Sequence, residues 1–142
     1  MPGVTVGVDG SDHSRKALEW AIREAGLRGT SLTVLAVHQV ASNHWTGNPE
    51  TYASDAPETE IVRQAAEDAV QKAVSQVGEP APTSVTVRAV TGVAAHELVN
   101  ASADADLVVI GSRGGGGFAR MVLGSATTQV VTHAQSPVVV IH

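Results

Sequence analysis

The sequence predicts an α/β fold in which a doubly wound, five-stranded parallel sheet is covered by four helices. Two observations support this prediction. Runs of β-branched and aliphatic residues alternate along the chain with segments whose apolar residues recur at helical spacing. The strand runs are also nearly continuous in apolar residues, as is typical of parallel strands buried on both faces. Since crossovers are right-handed, few topologies remain, and we expect the Rossmann-like strand order 3-2-1-4-5.

Each element is predicted from its own residue pattern and from the residues that bound it. The strand predictions cover residues 4–8, 32–38, 85–90, 107–110 and 138–141. The helix predictions cover residues 14–27, 58–77, 95–103 and 125–134. Gly29 is expected to end the first helix, while Gly78 and Pro80 are expected to end the second.

Two connections differ from ordinary short turns. The first strand leads into the cluster Asp9-Gly10-Ser11-Asp12, which is typical of a strand that is followed by a helix cap. Residues 41–57 follow neither periodicity and contain two prolines and a glycine, so we expect a long exposed loop. Trp45 and Tyr52 in this loop either cover a bound base or a partner, or fold back onto the domain.

Length and composition exclude several classes of protein. A chain of 142 residues is the size of one domain, so we expect a single domain over residues 1–142. The net charge of -5 argues against general electrostatic binding to nucleic acid or to an anionic membrane. The absence of cysteine excludes disulfides, thiolate metal sites and cysteine nucleophiles. No membrane span or signal-peptide pattern is present, and a cytoplasmic protein is expected.

Charge is distributed unevenly along the chain. All 14 acidic residues lie at or before Asp106, so residues 1–106 have seven basic residues against fourteen acidic ones. The last 36 residues contain Arg113 and Arg120 but no carboxylate. The C-terminal quarter is therefore the segment best suited to an anion.

A glycine-rich loop occupies this carboxylate-free segment. Residues 110–128 read IGSRGGGGFARMVLGSATT and lie between a predicted strand and a predicted helix. Glycines allow successive N–H groups to turn inward around an anion, and a helix start exposes further N–H groups. The loop and the Asp9 turn follow strands four and one, which are neighbours with connections leaving in opposite directions. The sequence therefore predicts a phosphate-binding crevice at this point.

Several other site types fit the sequence poorly. A Walker loop needs Gly-Lys-Ser/Thr, but Lys16 and Lys72 are the only lysines. A dinucleotide fingerprint over residues 114–119 lacks the acidic residue that would follow it. The six histidines form no HExxH motif, and no Gly-x-Ser-x-Gly elbow exists. From the residues alone, Asp9 is a ligand contact, a base or, as we favour, a cap of backbone N–H groups.

The glycine loop resembles that of the universal stress proteins, in the branch that binds ATP. The family's loop has the form G-x2-G-x9-G-(S/T), and Gly111, Gly114, Gly124 and Ser125 occur at this spacing. The resemblance extends over the whole chain, from the opening VTVGVDGS to the closing SPVVVIH. The chain differs from the family pattern in two places. Gln39 stands where an aliphatic residue is common, and the variable part of the loop contains Arg120 and a run of four glycines.

The resemblance implies a role for each matched position. Asp9 is expected beside the ribose and adenine, and the backbone near Gln39 beside the adenine edge. Gly111 and Gly114 are expected to let the chain pass close to ribose and phosphate, while residues 124–127 hold the phosphates, with a magnesium or manganese ion bridging them. The complete predicted nucleotide-binding set is Asp9, Gly10, Gln39, Ile110, Gly111, Arg113, Gly114, Gly124, Ser125, Ala126 and Thr127.

The resemblance implies an ATP-loaded sensor or regulator of a stress response rather than an enzyme. No base or nucleophile is evidently directed at the phosphates, so we predict no catalytic residue and no protein-held metal. The alternatives are slow ATP hydrolysis, self-phosphorylation at Ser125 or Thr127, and binding of cyclic AMP instead of ATP. The apolar strand Val138–Ile141 is expected at the sheet edge, where members of the family commonly form homodimers.

Overall fold

The computed structural model describes residues 3–38, 56–112 and 125–142. Its five strands form one sheet in the order β3-β2-β1-β4-β5, and every neighbouring pair is parallel. The predicted fold class and strand order are therefore confirmed. The elements are β1 (Val4–Val8), α1 (Asp12–Arg28), β2 (Leu32–His38), α2 (Ala56–Val77), β3 (Val85–Thr91), α3 (Ala94–Ser102), β4 (Leu107–Gly111), α4 (Ser125–His133) and β5 (Val138–Ile141).

The predicted boundaries differ from the observed ones mainly at two helix starts. Helix α1 begins at Asp12 rather than at residue 14, because Ser11 caps it by accepting a hydrogen bond from the Ser14 N–H. Helix α2 begins at Ala56, so the last two residues of the predicted loop 41–57 are helical. Pro57 is compatible with this position, since the first N–H groups of a helix have no intrahelical partner. The rest of that loop lies outside the described residues.

The core has two layers, one on each face of the sheet. Side chains alternate between the faces of a strand, so Val4, Val6 and Val8 of β1 pack with helices α1 and α2. The neighbouring positions Leu35, Val108 and Ile110 face the other way and pack with α3 and α4. Because both faces are covered, the central strands contain apolar residues at nearly every position, as the sequence predicted.

The two outer strands are less buried than the central three. Strand β3 is mostly exposed, and all four residues of β5 are partly exposed. The prediction that Val138–Ile141 forms an edge strand is therefore confirmed. Among the helices of the described ranges, none combines the length and the apolar character that crossing a membrane requires.

Candidate functional site at the carboxyl ends of β1 and β4

The candidate site lies where the two halves of the sheet diverge. Strands β1 and β4 are parallel neighbours, with Val6 opposite Val109, and they end at the same edge of the sheet. The chain leaves β1 toward the face that α1 covers, whereas α4 packs against the opposite face through Val130. Connections that part in this way open a crevice between them, which is the usual ligand position in doubly wound sheets. The predicted switch point is therefore present.

The turn that follows β1 is held together by its own side chains. Oδ1 of Asp9 accepts a hydrogen bond from the Ser11 N–H at 2.9 Å, which is the capping role that the residues alone favoured. The Ser14 hydroxyl accepts from the Asp9 N–H at 3.3 Å and donates to the Ser11 carbonyl at 3.0 Å. Gly10 lies between them with a φ of 87°, a conformation that favours glycine. The half-buried Asp9 carboxylate is thereby oriented at the mouth of the crevice.

Ser14 and His13 were not predicted as site residues. Ser14 is buried at the third position of α1. The sequence pattern that could have identified it is its place three residues after Ser11, the residue that caps the helix. No such pattern marks His13. Its Nδ1 is buried and has no hydrogen-bond partner among the residues that the structure describes. A buried polar atom of this kind calls for a partner such as water or a ligand.

Gly111 packs against the first turn of α1. A Cβ added to it would lie 3.2 Å from the His13 carbonyl oxygen and 3.5 Å from the His13 Cβ. The family resemblance implies that glycine is needed here so that the backbone can pass close to the ribose and phosphate. The structure supplies a different reason, because the neighbour that a side chain would crowd is α1 itself.

Thr127 connects the start of α4 to the end of β4. Its Oγ1 donates a hydrogen bond to the Gly111 carbonyl oxygen at 2.7 Å, and the residue is only 2% exposed. The sequence assigned Thr127 to the phosphate-binding set, and this bond places its side chain against the strand. Gly111 and residues 125–127, which belong to the two ends of the glycine loop, are therefore brought together.

The first turn of α4 offers backbone N–H groups and contains no acidic residue. The first N–H groups of any helix lack intrahelical acceptors, and α4 has no acidic residue in its first turn. Helix α4 starts at Ser125, and the half-buried Ala126 packs against the core layer beneath α3 and α4. This helix start can therefore attract an anion through its dipole and N–H groups.

Ile110 has a different environment from the other predicted site residues. Its side chain is 7% exposed and belongs to the core layer of α3 and α4. Any contact of Ile110 with a ligand is therefore restricted mainly to its backbone. Four predicted residues lie outside the described part of the chain: Gln39, Arg113, Gly114 and Gly124. The loop aromatics Trp45 and Tyr52 also lie outside it.

No cluster of metal ligands is found within residues 3–38, 56–112 and 125–142. There, no three histidine, aspartate or glutamate side chains come together in a way that could hold a metal ion. Oδ1 of Asp9 is instead engaged with the Ser11 N–H.

Comparison with known protein sequences identifies the relatives of this chain. A model of the universal stress protein family matches residues 3–142. A universal stress protein of Mycolicibacterium smegmatis is 34% identical over 140 residues, which cover 99% of this chain and 48% of the relative. A universal stress protein of Mycobacterium tuberculosis is 39% identical over 146 residues, again with 99% and 48% covered. The chain spans about half the length of these curated relatives.

Solved structures with the same fold include further universal stress proteins. UspA from Lactobacillus plantarum has a TM-score of 0.73 at 24% identity, with 99% of this chain and 97% of that one covered. A universal stress protein in complex with cAMP has a TM-score of 0.67 at 26% identity, with 99% and 96% covered. One from Archaeoglobus fulgidus in complex with dAMP has a TM-score of 0.63 at 25% identity, with 100% and 98% covered. The chain belongs to the universal stress protein family.

Proposed function

We propose that residues 1–142 form a single ATP-binding domain that acts as a nucleotide-loaded sensor or regulator in a stress response. The observation that carries this proposal is the hydrogen bond from Thr127 to Gly111, which joins the two ends of the glycine loop at the crevice beside β1. The complexes of two related structures with cAMP and dAMP support an adenine nucleotide as the class of ligand.

The phosphates are assigned to the α4 side of the crevice. The N–H groups of residues 125–127 face no acidic residue on their own helical turn, and no carboxylate side chain follows Asp106. A helix N-terminus stabilises a phosphate by about 0.3–1 kcal/mol through its dipole alone, and by up to about 2 kcal/mol when partly buried. The proposed phosphate and ribose contacts also include Gly111, Arg113, Gly114 and Gly124. The buried Nδ1 of His13 offers one further polar group beside Gly111.

The nucleoside is assigned to the β1 side of the crevice. Asp9 has one carboxylate oxygen engaged by Ser11, and the carboxylate has further acceptor capacity for a ribose hydroxyl or an adenine amino group. Gly10 and the backbones of Gln39 and Ile110 complete the proposed adenosine contacts. This division puts the charged and uncharged parts of ATP against chemically different walls.

A magnesium or manganese ion would be held chiefly by the nucleotide. The described residues contain no cluster of three metal-ligating side chains, so they do not form a protein cage for a metal. Magnesium in nucleotide sites is commonly bound through substrate phosphates with few protein ligands, and the crevice is compatible with that mode. When bound, such an ion neutralises part of the phosphate charge.

Two of the described hydroxyl groups at the crevice are already engaged in hydrogen bonds with the backbone. The Ser14 hydroxyl accepts a hydrogen bond from the Asp9 N–H and donates one to the Ser11 carbonyl, and the Thr127 hydroxyl donates to the Gly111 carbonyl. Hydrolysis requires a group that positions the attacking water, and a hydroxyl that already donates to the backbone is poorly suited to that task. We therefore propose a bound state that is read by a partner rather than a rapid turnover of ATP.

Calorimetric titration of the nucleotide-free protein tests the proposal. ATP, ADP, AMP and cyclic AMP are titrated into the parent chain and into Gly111→Ala and Gly124→Ala. We expect the parent to bind ATP most tightly and both variants to bind it more weakly. Gly29→Ala is the control for a general loss of stability, because it strains a glycine with a φ of 66° at the end of α1, away from the crevice, and should leave nucleotide affinity unchanged. Absence of nucleotide binding by the parent would refute the proposal.

Cyclic AMP is the second candidate ligand, which the cAMP complex of a 26% identical neighbour favours. The same titration separates it from ATP. A clear preference for cyclic AMP would assign the domain to a cyclic-nucleotide regulator. Dependence of both affinities on Gly111 would show that the two ligands share one crevice.

We also propose that two copies of the chain pair through β5. This strand lies at the sheet edge, and its apolar residues Val138–Ile141 are all partly exposed. An open apolar edge promotes pairing with another strand, and a charged residue on the edge opposes it. Light scattering after size exclusion should give a dimer mass for the parent and a lower mass for Val140→Lys. A monomeric parent at high concentration would contradict this assembly.

A further inference from the structure

We infer that Thr127 is a positioning residue whose hydroxyl sets the distance between the two ends of the glycine loop, rather than a side-chain ligand of phosphate. The inference rests on the proposed nucleotide function and specifies how that site is organised. It also limits the phosphate contact that the family resemblance implies for Thr127 to the backbone of that residue.

The hydrogen bond accounts for the donor capacity of the Thr127 side chain. A threonine hydroxyl has one proton to donate, and here it is donated to the Gly111 carbonyl at 2.7 Å. The oxygens of a fully ionised phosphate only accept hydrogen bonds, so a hydroxyl whose proton is already donated elsewhere cannot bond to them. Thr127 can therefore serve a phosphate through its backbone N–H while its side chain remains on the strand.

The acceptor of this bond is held from a second direction. Gly111 lies at the end of β4, and its Cα is so close to α1 that an added Cβ would be 3.2 Å from the His13 carbonyl oxygen. The Gly111 carbonyl thus belongs to backbone that is packed between α1 and α4. A bond to it places the first turn of α4 relative to both β4 and α1.

The bond links two elements that the loop of the motif connects along the chain. Gly111 is the first glycine of the G-x2-G-x9-G-S pattern, and Thr127 lies two residues after its final serine. Anchoring one end to the other reduces the conformational freedom that must be lost when N–H groups from both ends meet one phosphate chain. Preorganisation of this kind improves affinity without adding a ligand contact.

Thr132 shows what a hydroxyl on the same helix does without this role. Its Oγ1 donates to the Thr128 carbonyl at 2.8 Å, which is a local bond within α4, and the residue is exposed. This bond cannot hold the helix to the sheet. Thr132→Val is therefore a matched control, since it also replaces a donating hydroxyl by a methyl group on α4.

The experiment compares ATP with adenosine in four proteins. The parent, Thr127→Val, Thr127→Ser and Thr132→Val are titrated with each ligand under conditions in which circular dichroism shows them folded. Removing one net hydrogen bond that orders the site should weaken ATP binding by about tenfold in Thr127→Val. Adenosine binding should be unchanged, because adenosine has no phosphate. Thr127→Ser keeps the donor and should recover most of the lost ATP affinity, and Thr132→Val should match the parent.

Two results would overturn the inference while leaving the proposed function intact. One is ATP binding by folded Thr127→Val that equals the parent's. The other is an equal loss of ATP and adenosine affinity, which indicates general damage to the fold. If Thr127→Val does not fold, Thr127→Ala carries the same test, since it removes the hydroxyl without directing a methyl group at the Gly111 carbonyl. Failure of the parent itself to bind ATP would instead refute the proposed function.

Discussion

Gly7 of β1 lies directly against Leu98 of α3. A Cβ added to Gly7 would be 2.8 Å from Cδ1 of Leu98 and 2.9 Å from its Cδ2. Leu98 is 2% exposed and belongs to the core layer between the sheet and helices α3 and α4. Helix α3 can therefore approach this part of β1, just before the strand reaches the crevice, because Gly7 has no side chain.

Gly7→Ala is expected to lower the free energy of unfolding by about 1–3 kcal/mol, the usual consequence of overpacking a core. Urea denaturation followed by circular dichroism measures this change. The double variant with Leu98→Ala is the control, because the truncated side chain leaves room for the new methyl group. If Gly7→Ala is equally destabilising in the Leu98→Ala background, the steric contact is not its cause.

Gly10→Ala is expected to destabilise the chain by about 1 kcal/mol, because L-residues with a side chain rarely adopt a positive φ such as the 87° of Gly10. Gly10→Asn should be less harmful, since asparagine tolerates the left-handed region better than alanine does. Thermal unfolding of the two variants provides the comparison. Equal stability of the alanine variant and the parent would mean that the turn adopts another conformation.

Asp9→Asn separates the capping role of Asp9 from its proposed ligand role. The asparagine side-chain oxygen can still accept the Ser11 N–H, so the free energy of unfolding should change by less than about 1 kcal/mol. ATP binding should weaken roughly tenfold, because a charge-assisted hydrogen bond to the nucleoside is lost.

Asp9→Ala provides the contrast, since it removes the acceptor for Ser11 as well as the charge. It should lose both stability and affinity, as denaturation and calorimetry together would show. An asparagine variant that binds ATP as tightly as the parent does would restrict Asp9 to capping.

Ser102→Ala is expected to lower the free energy of unfolding by about 1–3 kcal/mol and to leave nucleotide affinity unchanged. The Ser102 hydroxyl is 1% exposed, accepts from the Gln135 N–H at 2.8 Å and donates to the Val99 carbonyl at 2.6 Å. Its loss leaves the Gln135 N–H without this acceptor, just past the C-terminal end of α4 and so at the opposite end of that helix from the glycine loop. Chemical denaturation and ATP titration on the same sample measure both effects, and a parallel fall in affinity would contradict the prediction.

The order and type of the elements were predictable because they depend on local patterns. Runs such as Val4–Val8 and Leu107–Gly111 are apolar at nearly every position, since helices cover both faces of the sheet. The start of α1 was misplaced by two residues, because apolar spacing does not register a helix turn that is capped by Ser11. The switch point followed from the strand order, and so the general position of the crevice was also predictable.

The roles of individual site residues were less predictable. Asp9 was identified as a site residue with capping as the favoured role, and the structure supports the cap. Thr127 was placed among phosphate contacts, whereas its hydroxyl lies on the Gly111 carbonyl. Ile110 was included in the site, but its side chain belongs to the core. These differences arise because a sequence motif marks which residues are near a site without indicating which way each side chain points.

The residue pattern along the chain specifies the alternation of strands and helices, the five-stranded parallel sheet and the spacing of the glycine motif. These features follow from periodicity, turn residues and residue spacing, which are properties of neighbouring residues along the chain. The folded arrangement is needed to see that Gly7 makes room for Leu98, that Gly111 lies against His13 and that the Thr127 hydroxyl bonds the Gly111 carbonyl. Each of these contacts joins residues far apart in the chain, and its geometry depends on how closely helices pack on the sheet.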